Sequence, residues 1–142
     1  RYWAKAIAEA PVFLCVGGEG PPLDTSVLSQ SVHCNDMMEL APKHHALLVA
    51  VEHRYYGKSN PGDDWSTESL EWLSSQQALG DLVAFHGFIT RSEGLTGNEK
   101  WVTWGGSYPG MLAGWARLKY PHLFHAAVSS SSPLKAKLDF PQ

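Results

Sequence analysis

The segment Trp101-Val102-Thr103-Trp104-Gly105-Gly106-Ser107-Tyr108-Pro109-Gly110 constrains this chain more than any other. An apolar run of strand character breaks at two glycines and a serine, and Met111, Leu112, Trp115 and Leu118 then recur at helical spacing. Arg117 and Lys119 suit the end of that helix, and Pro121 stops it. A strand that turns into a helix over so few residues brings two backbones together, and glycine leaves the room they need. A serine at the tip of such a turn is held in a strained conformation and exposed, which is how a nucleophilic serine is displayed. The usual spacing is Gly-x-Ser-x-Gly. Gly105 and Ser107 fit it, whereas Pro109 takes the last glycine position and Gly110 follows one residue later. Pro109 falls in the first turn of a helix starting near Tyr108, where its missing N–H has no intrahelical partner to lose. On this pattern alone, Ser107 as a simple helix cap stays open.

Four short apolar runs, Val12–Val16, Leu47–Val51, Trp101–Trp104 and Ala126–Ser130, are separated by longer mixed segments. That alternation predicts strands joined by helical crossovers, hence an α/β fold with a mostly parallel sheet of about four strands buried on both faces. Ligands of such sheets bind at the carboxyl edge. Ser74 and Gln77 form a capping-box start for a helix from about Ser75 to Thr90, carried by Ala78, Leu79, Leu82, Val83, Phe85, Phe88 and Ile89. Gly80 and Gly87 each cost that helix about 1 kcal/mol relative to Ala, so close packing on the sheet is expected there. A weaker helix spans Asn35 to about Leu40 ahead of Pro42, and Gly57–Ser66 reads as an exposed loop. The 142 residues suit one domain, and 44% hydrophobic against 18% charged residues excludes a disordered tail. Neither Val12–Val16 nor Ala46–Val51 approaches the roughly 20 residues of a membrane-spanning helix. Eleven scattered Lys and Arg against fourteen Asp and Glu, a net charge of −3, lack the basic footprint of a nucleic-acid binder. The chain opens at Arg1 without a basic-then-apolar leader, so any targeting signal is expected upstream.

Gly17-Gly18-Glu19-Gly20-Pro21-Pro22 follows the first strand. Such a loop can aim a backbone N–H, from Gly18 or Glu19, at an oxyanion together with the N–H of Tyr108; a plain glycine turn is the competing reading. A dinucleotide fingerprint fails, because Pro21-Pro22 does not start a helix and Glu19 would repel a pyrophosphate. His44, His45, His122 and His125 lack the carboxylate or cysteine company of a zinc site, so no metal and no cofactor are expected. Glu52-His53-Arg54-Tyr55-Tyr56-Gly57 crowds the presumed ligand edge and either rims a pocket or pairs and packs. Asp81, which precedes the serine, reads as a structural acid. Cys15 lies within an apolar run, where a free buried thiol is the plainer reading, although one disulfide with Cys34 stays open. There is no Asn-x-Ser/Thr acceptor.

Taken in order, these segments resemble the serine peptidase family of lysosomal Pro-X carboxypeptidase, dipeptidyl peptidase II and thymus-specific serine protease. Arg1-Tyr2-Trp3 is similar to the family's opening, Gly17–Gly20 to its post-strand loop, Glu52–Gly57 to its strand ending, and Gly105-Gly106-Ser107-Tyr108-x-Gly110 to its nucleophile motif, where the position of Pro109 varies. Lys119-Tyr120-Pro121-His122-Leu123 and Ala136-Lys137-Leu138-Asp139-Phe140 also look like family segments. Leu73-Ser74-Ser75 and Ala78-Leu79, with the glycine loop, look closest to the thymus-specific branch. The resemblance implies an α/β-hydrolase core with strand order second, first, third, fourth. It further implies hydrolysis of peptide substrates, often after proline, by carboxypeptidase or dipeptidyl-peptidase action, in lysosomes, endosomes or outside the cell and without metal.

In that fold the acid and the histidine follow the serine, in that order. His122 and His125 instead precede Asp139, and all three fall in segments similar to non-catalytic stretches, so Ser107 is expected to lack its base within these residues. The chain therefore reads as an N-terminal, nucleophile-bearing core whose acid and histidine lie beyond residue 142, with both sheet edges open. An esterase or lipase of the same fold, and an inactive truncated binding module, are the alternatives. Oligomeric state stays open, a homodimer included.

Overall fold

The computed structural model describes residues 10–30, 34–62 and 64–138. The similarities quoted for Arg1-Tyr2-Trp3 and for Asp139 and Phe140 lie outside them. Strand β1, Val12–Val16, is buried at every position. It sits between β2, Leu47–Val51, and β3, Trp101–Gly106, with β4, Phe124–Ser130, beyond β3, giving the order β2-β1-β3-β4. All three pairings are parallel, with Val12 opposite both Leu47 and Trp101. Parallel neighbours need crossovers, and helices supply them: α1, Val27–Gln30, and α2, Asn35–His44, join β1 to β2; α3, Ser75–Ser92, joins β2 to β3; α4, Ser107–Lys119, joins β3 to β4. This is the α/β architecture the apolar runs predict.

Alternation along the strands divides the core in two. Val12, Leu14, Val16, Trp101 and Phe124 pack with Leu79 and Leu82 of α3 and Leu112, Ala113 and Ala116 of α4. Phe13, Cys15 and Trp104 face the other way, onto Met37 and Ala41 of α2. The outer strands β2 and β4 are only half buried, unlike β1.

Cys15 is not a free thiol: it is bonded to Cys34, the residue capping α2, across a Cα–Cα distance of 5.9 Å. Joining residues 19 apart removes loop entropy from the unfolded chain, worth about 3 kcal/mol, and pins α2 to the central strand. Anchored there, with Met37 and Ala41 buried, α2 continues through Pro42 to His44 instead of ending near Leu40, and His45 closes it in the left-handed region. Strand β4 begins at Phe124, two residues early, because the ladder shifts register between Trp101 and Val102 and so absorbs the polar His125. Leu118, placed on the buried stripe of α4 by its spacing, is 75% exposed; the buried face is Pro109, Gly110, Leu112, Ala113 and Ala116. The Ser74 hydroxyl does cap α3, accepting from the Gln77 N–H at 3.2 Å, but the Gln77 side chain accepts from Arg54 at 3.4 Å. The close packing expected at Gly80 does not occur: among the described residues a Cβ there would meet nothing within 4 Å.

Candidate active site

Backbone strain marks the carboxyl edge of the sheet. Of the non-glycine residues with positive φ among those described, Tyr55, Ser107 and Ser131 follow the ends of β2, β3 and β4. Ser107 has φ 59°, immediately after Gly106, whose φ of −116° and ψ of 148° are still extended. A left-handed conformation costs an L residue about 1–2 kcal/mol, so packing must enforce it. The glycines do so. A Cβ on Gly105 would lie 2.5 Å from the backbone of Pro109 and 2.7 Å from Gly110 N, and a Cβ on Gly110 would lie 2.7 Å from Gly105 O. Gly105 and Gly110 therefore leave each other the room that the turn needs. Hydroxyls of the sheet hold α4 in place, Thr103 donating to Ala113 O at 3.0 Å and Ser129 to Gly110 O at 2.7 Å.

The glycine loop is built over this turn. Gly17 donates to Val51 O at 2.9 Å, and a Cβ on it would strike that same oxygen. A Cβ on Gly18 would collide with the ring of Pro109, so the proline that breaks the serine motif is the surface on which Gly18 rests. The loop, Glu52, His53, Ser107 and Pro109 enclose a cleft of about 500 Å³. The structure thus brings together Ser107, Tyr108 at the start of α4, Gly18 and Glu19. As the first residues of α4, Ser107 and Tyr108 leave their backbone N–H groups without intrahelical acceptors.

Both readings of Glu52–Gly57 hold, residue by residue. Glu52 accepts from Leu23 N at 2.7 Å and Lys58 N at 2.8 Å, tying the glycine loop to the turn after β2. Burial opposes ionisation of Glu52, but these donors and Ser59 outweigh it and hold the carboxyl below its ordinary value. Gly57, at φ 58°, has no room for a Cβ beside that carboxylate. Arg54 grips Asp81 of α3 with Nε and Nη2 at 2.7 and 2.6 Å, which makes Asp81 the structural acid expected of it. Buried His53 faces Tyr108, its Nε2 lying 2.9 Å from the phenol oxygen. Burial, with Tyr56 and the negative Glu19 nearby, raises the Tyr108 pKa, so its hydroxyl keeps its proton. Sequence reasoning did not single out His53, and its only signal was the crowd of polar and aromatic groups at the end of a strand.

Among the described residues no side chain hydrogen-bonds Ser107. His122 and His125 flank the start of β4, at the opposite edge of the sheet from Ser107, and both are exposed. His44 packs on Phe13, and the described residues hold no cluster of three or more metal-ligating side chains.

The family model described as serine carboxypeptidase S28 matches residues 1–142. The chain belongs to the S28 serine peptidase family. It is 41% identical over 144 residues to human thymus-specific serine protease, covering 99% of this chain and 27% of that protein. It is 42% identical over 107 residues to lysosomal Pro-X carboxypeptidase of Bos taurus, covering 71% and 21%, and 41% identical over 140 residues to that of Pongo abelii, covering 94% and 26%. This S28 chain thus spans about a quarter of the length of the curated relatives it matches.

Proposed function

We propose that this chain carries the nucleophile and the oxyanion-binding half of a serine peptidase site. The observation that carries the reading is the left-handed Ser107 at the tip of β3, opening onto a cleft walled by the glycine loop. Ser107 Oγ attacks the scissile carbonyl carbon while its proton passes to a histidine. The carbonyl π electrons move to oxygen, where the N–H of Tyr108 and that of Gly18 or Glu19 take up the charge. Collapse expels the amine with that proton, and water then releases the acyl group from Ser107. The histidine and its acid come from sequence beyond residue 142, in keeping with the quarter-length coverage of the relatives and the absence, among the described residues, of a base on Ser107.

The names of the relatives support a peptide substrate over an ester, and that of the Pro-X carboxypeptidases supports cleavage next to proline by exopeptidase action. They and the Cys15–Cys34 disulfide, a bond of oxidising compartments, support a lysosomal, endosomal or secreted setting. In the longest natural form containing this chain, Ser107→Ala is expected to lower kcat on an X-Pro peptide by about 10⁴-fold or more and to abolish fluorophosphonate labelling of the folded protein. Undiminished turnover would remove Ser107 from the mechanism. Peptides blocked at one end or the other then separate the two exopeptidase modes: a blocked carboxyl terminus stops a carboxypeptidase, a blocked amine a dipeptidyl peptidase.

A further inference from the structure

β2 leaves the sheet through two adjacent residues that reach toward different walls of the cleft. Glu52 holds the glycine loop through Leu23 N–H, and His53 holds the first turn of α4 through Tyr108. The tautomer of His53 follows from its neighbours. Nδ1 lies 2.6 Å from Arg54 O, and a carbonyl only accepts, so Nδ1 carries a proton, and in the neutral ring Nε2 accepts from the Tyr108 hydroxyl. The ring cannot turn freely. His53 is 5% exposed, Tyr56 meets it edge-on at 5.2 Å, and Arg54, whose carbonyl it binds, is fixed by Asp81. A rigid acceptor therefore fixes the side chain of the residue that follows the strained serine.

We infer that His53 is a positioning residue of the hydrolytic site, which through the Tyr108 hydroxyl fixes the orientation of the Tyr108 main-chain N–H toward the oxyanion. This rests on the reading of Ser107 and Tyr108 given above. Residue 108 lies in the first turn of α4, where no intrahelical bond restrains its N–H, and it follows a backbone held in the left-handed region. A small rotation at 108 would move the donor off line, and such misplacement costs catalysis without weakening ground-state binding. Arg54, Tyr55 and Tyr56 continue from the same strand end, so one short segment ties α3, the glycine loop and the turn at Ser107 into one frame.

The test uses the longest natural form, with Tyr108→Phe, His53→Leu, the double variant, His53→Gln and Ser107→Ala. Rates are taken per titrated active site, alongside the affinity for a peptide boronic acid that imitates the tetrahedral adduct. Tyr108→Phe and His53→Leu are each expected to lower kcat about tenfold and to weaken boronate binding in parallel, with KM within about twofold. The double variant is expected to be no worse than either single one, and His53→Gln, which can still accept from the phenol, to recover part of the loss. Losses that multiply in the double variant, or variants with lower thermal stability but unchanged kcat, overturn the proposal. If His53→Leu fails to fold, Tyr108→Phe, which keeps the ring, decides the matter alone by the same kcat and boronate criteria. An inactive Ser107→Ala with wild-type kcat in the other variants sinks the positioning role only, whereas an active Ser107→Ala sinks the reading beneath it.

Discussion

Gly105 and Gly110 flank the turn between β3 and α4, while Gly80 and Gly87 lie within α3, and the two pairs differ in what surrounds them. At the turn, strand and helix backbones press so closely that a single methyl group would reach 2.5–2.7 Å from main-chain atoms. In α3, Gly80 faces open space among the described residues, and Gly87 meets only the far end of Arg91, at 3.3 Å. The first pair makes the strained serine geometrically available, whereas the second merely weakens a helix. Glycine in a sequence therefore reports either crowding or indifference, and only the neighbours brought in by folding say which.

Substitution at the crowded glycines has the largest expected effect. Gly105→Ala and Gly110→Ala should each destabilise the full chain by about 3 kcal/mol, measured by denaturant unfolding, because the obstacle is backbone and cannot rotate away. Loss of under about 0.5 kcal/mol would mean that the turn is slack. Gly80→Ala should instead stabilise by about 0.5–1 kcal/mol, since alanine adds helix propensity and meets no obstacle. A destabilising result would show that α3 is crowded after all. The smallest effect is one of slope, on the packed side of the same helix. His86 lies against Trp101 at 4.4 Å, and burial, reinforced by the charge of His122 and opposed by Glu99, lowers its pKa. The unfolded chain then binds more protons than the folded one below about pH 6.5, so stability should decline as pH falls through that point. His86→Phe should make the decline shallower in thermal melts taken at pH 7 and pH 5, and an unchanged slope would assign the acid sensitivity to other groups.

Legibility followed the same division between local and distant causes. β1 and β2 were readable to the residue, because Pro11 and Gly17 bound the first apolar run, and Glu52 ends the second, which starts at the first large side chain after Ala46. α3 ran two residues beyond its expected end at Thr90, a fraying of boundaries that pattern alone does not set. The serine turn was legible because its chemistry is local: small residues, a strand before and a helix after. The role of Pro109 was not, since the glycine that rests on its ring lies 91 positions earlier. The disulfide was hidden for a related reason. Cys15 carries the signature of a buried strand residue, and its partner is decided by where α2 docks. Leu118 shows the converse error, a residue in phase with an apolar stripe yet left outside because small Ala113 and Ala116 let α4 sit on that side of itself.

By itself the sequence determined the α/β alternation, the four strands and the serine at the tip of the third, because each follows from the spacing of apolar and small residues within one segment. Only the tertiary structure decided that the glycine loop rests on Pro109, that Cys15 meets Cys34 and that His53 lies against the hydroxyl of Tyr108. Those contacts join residues 91, 19 and 55 positions apart. Separations of that size have no period to read, and they are fixed when parallel strands stack in the order β2-β1-β3-β4 and bring their carboxyl ends to one edge.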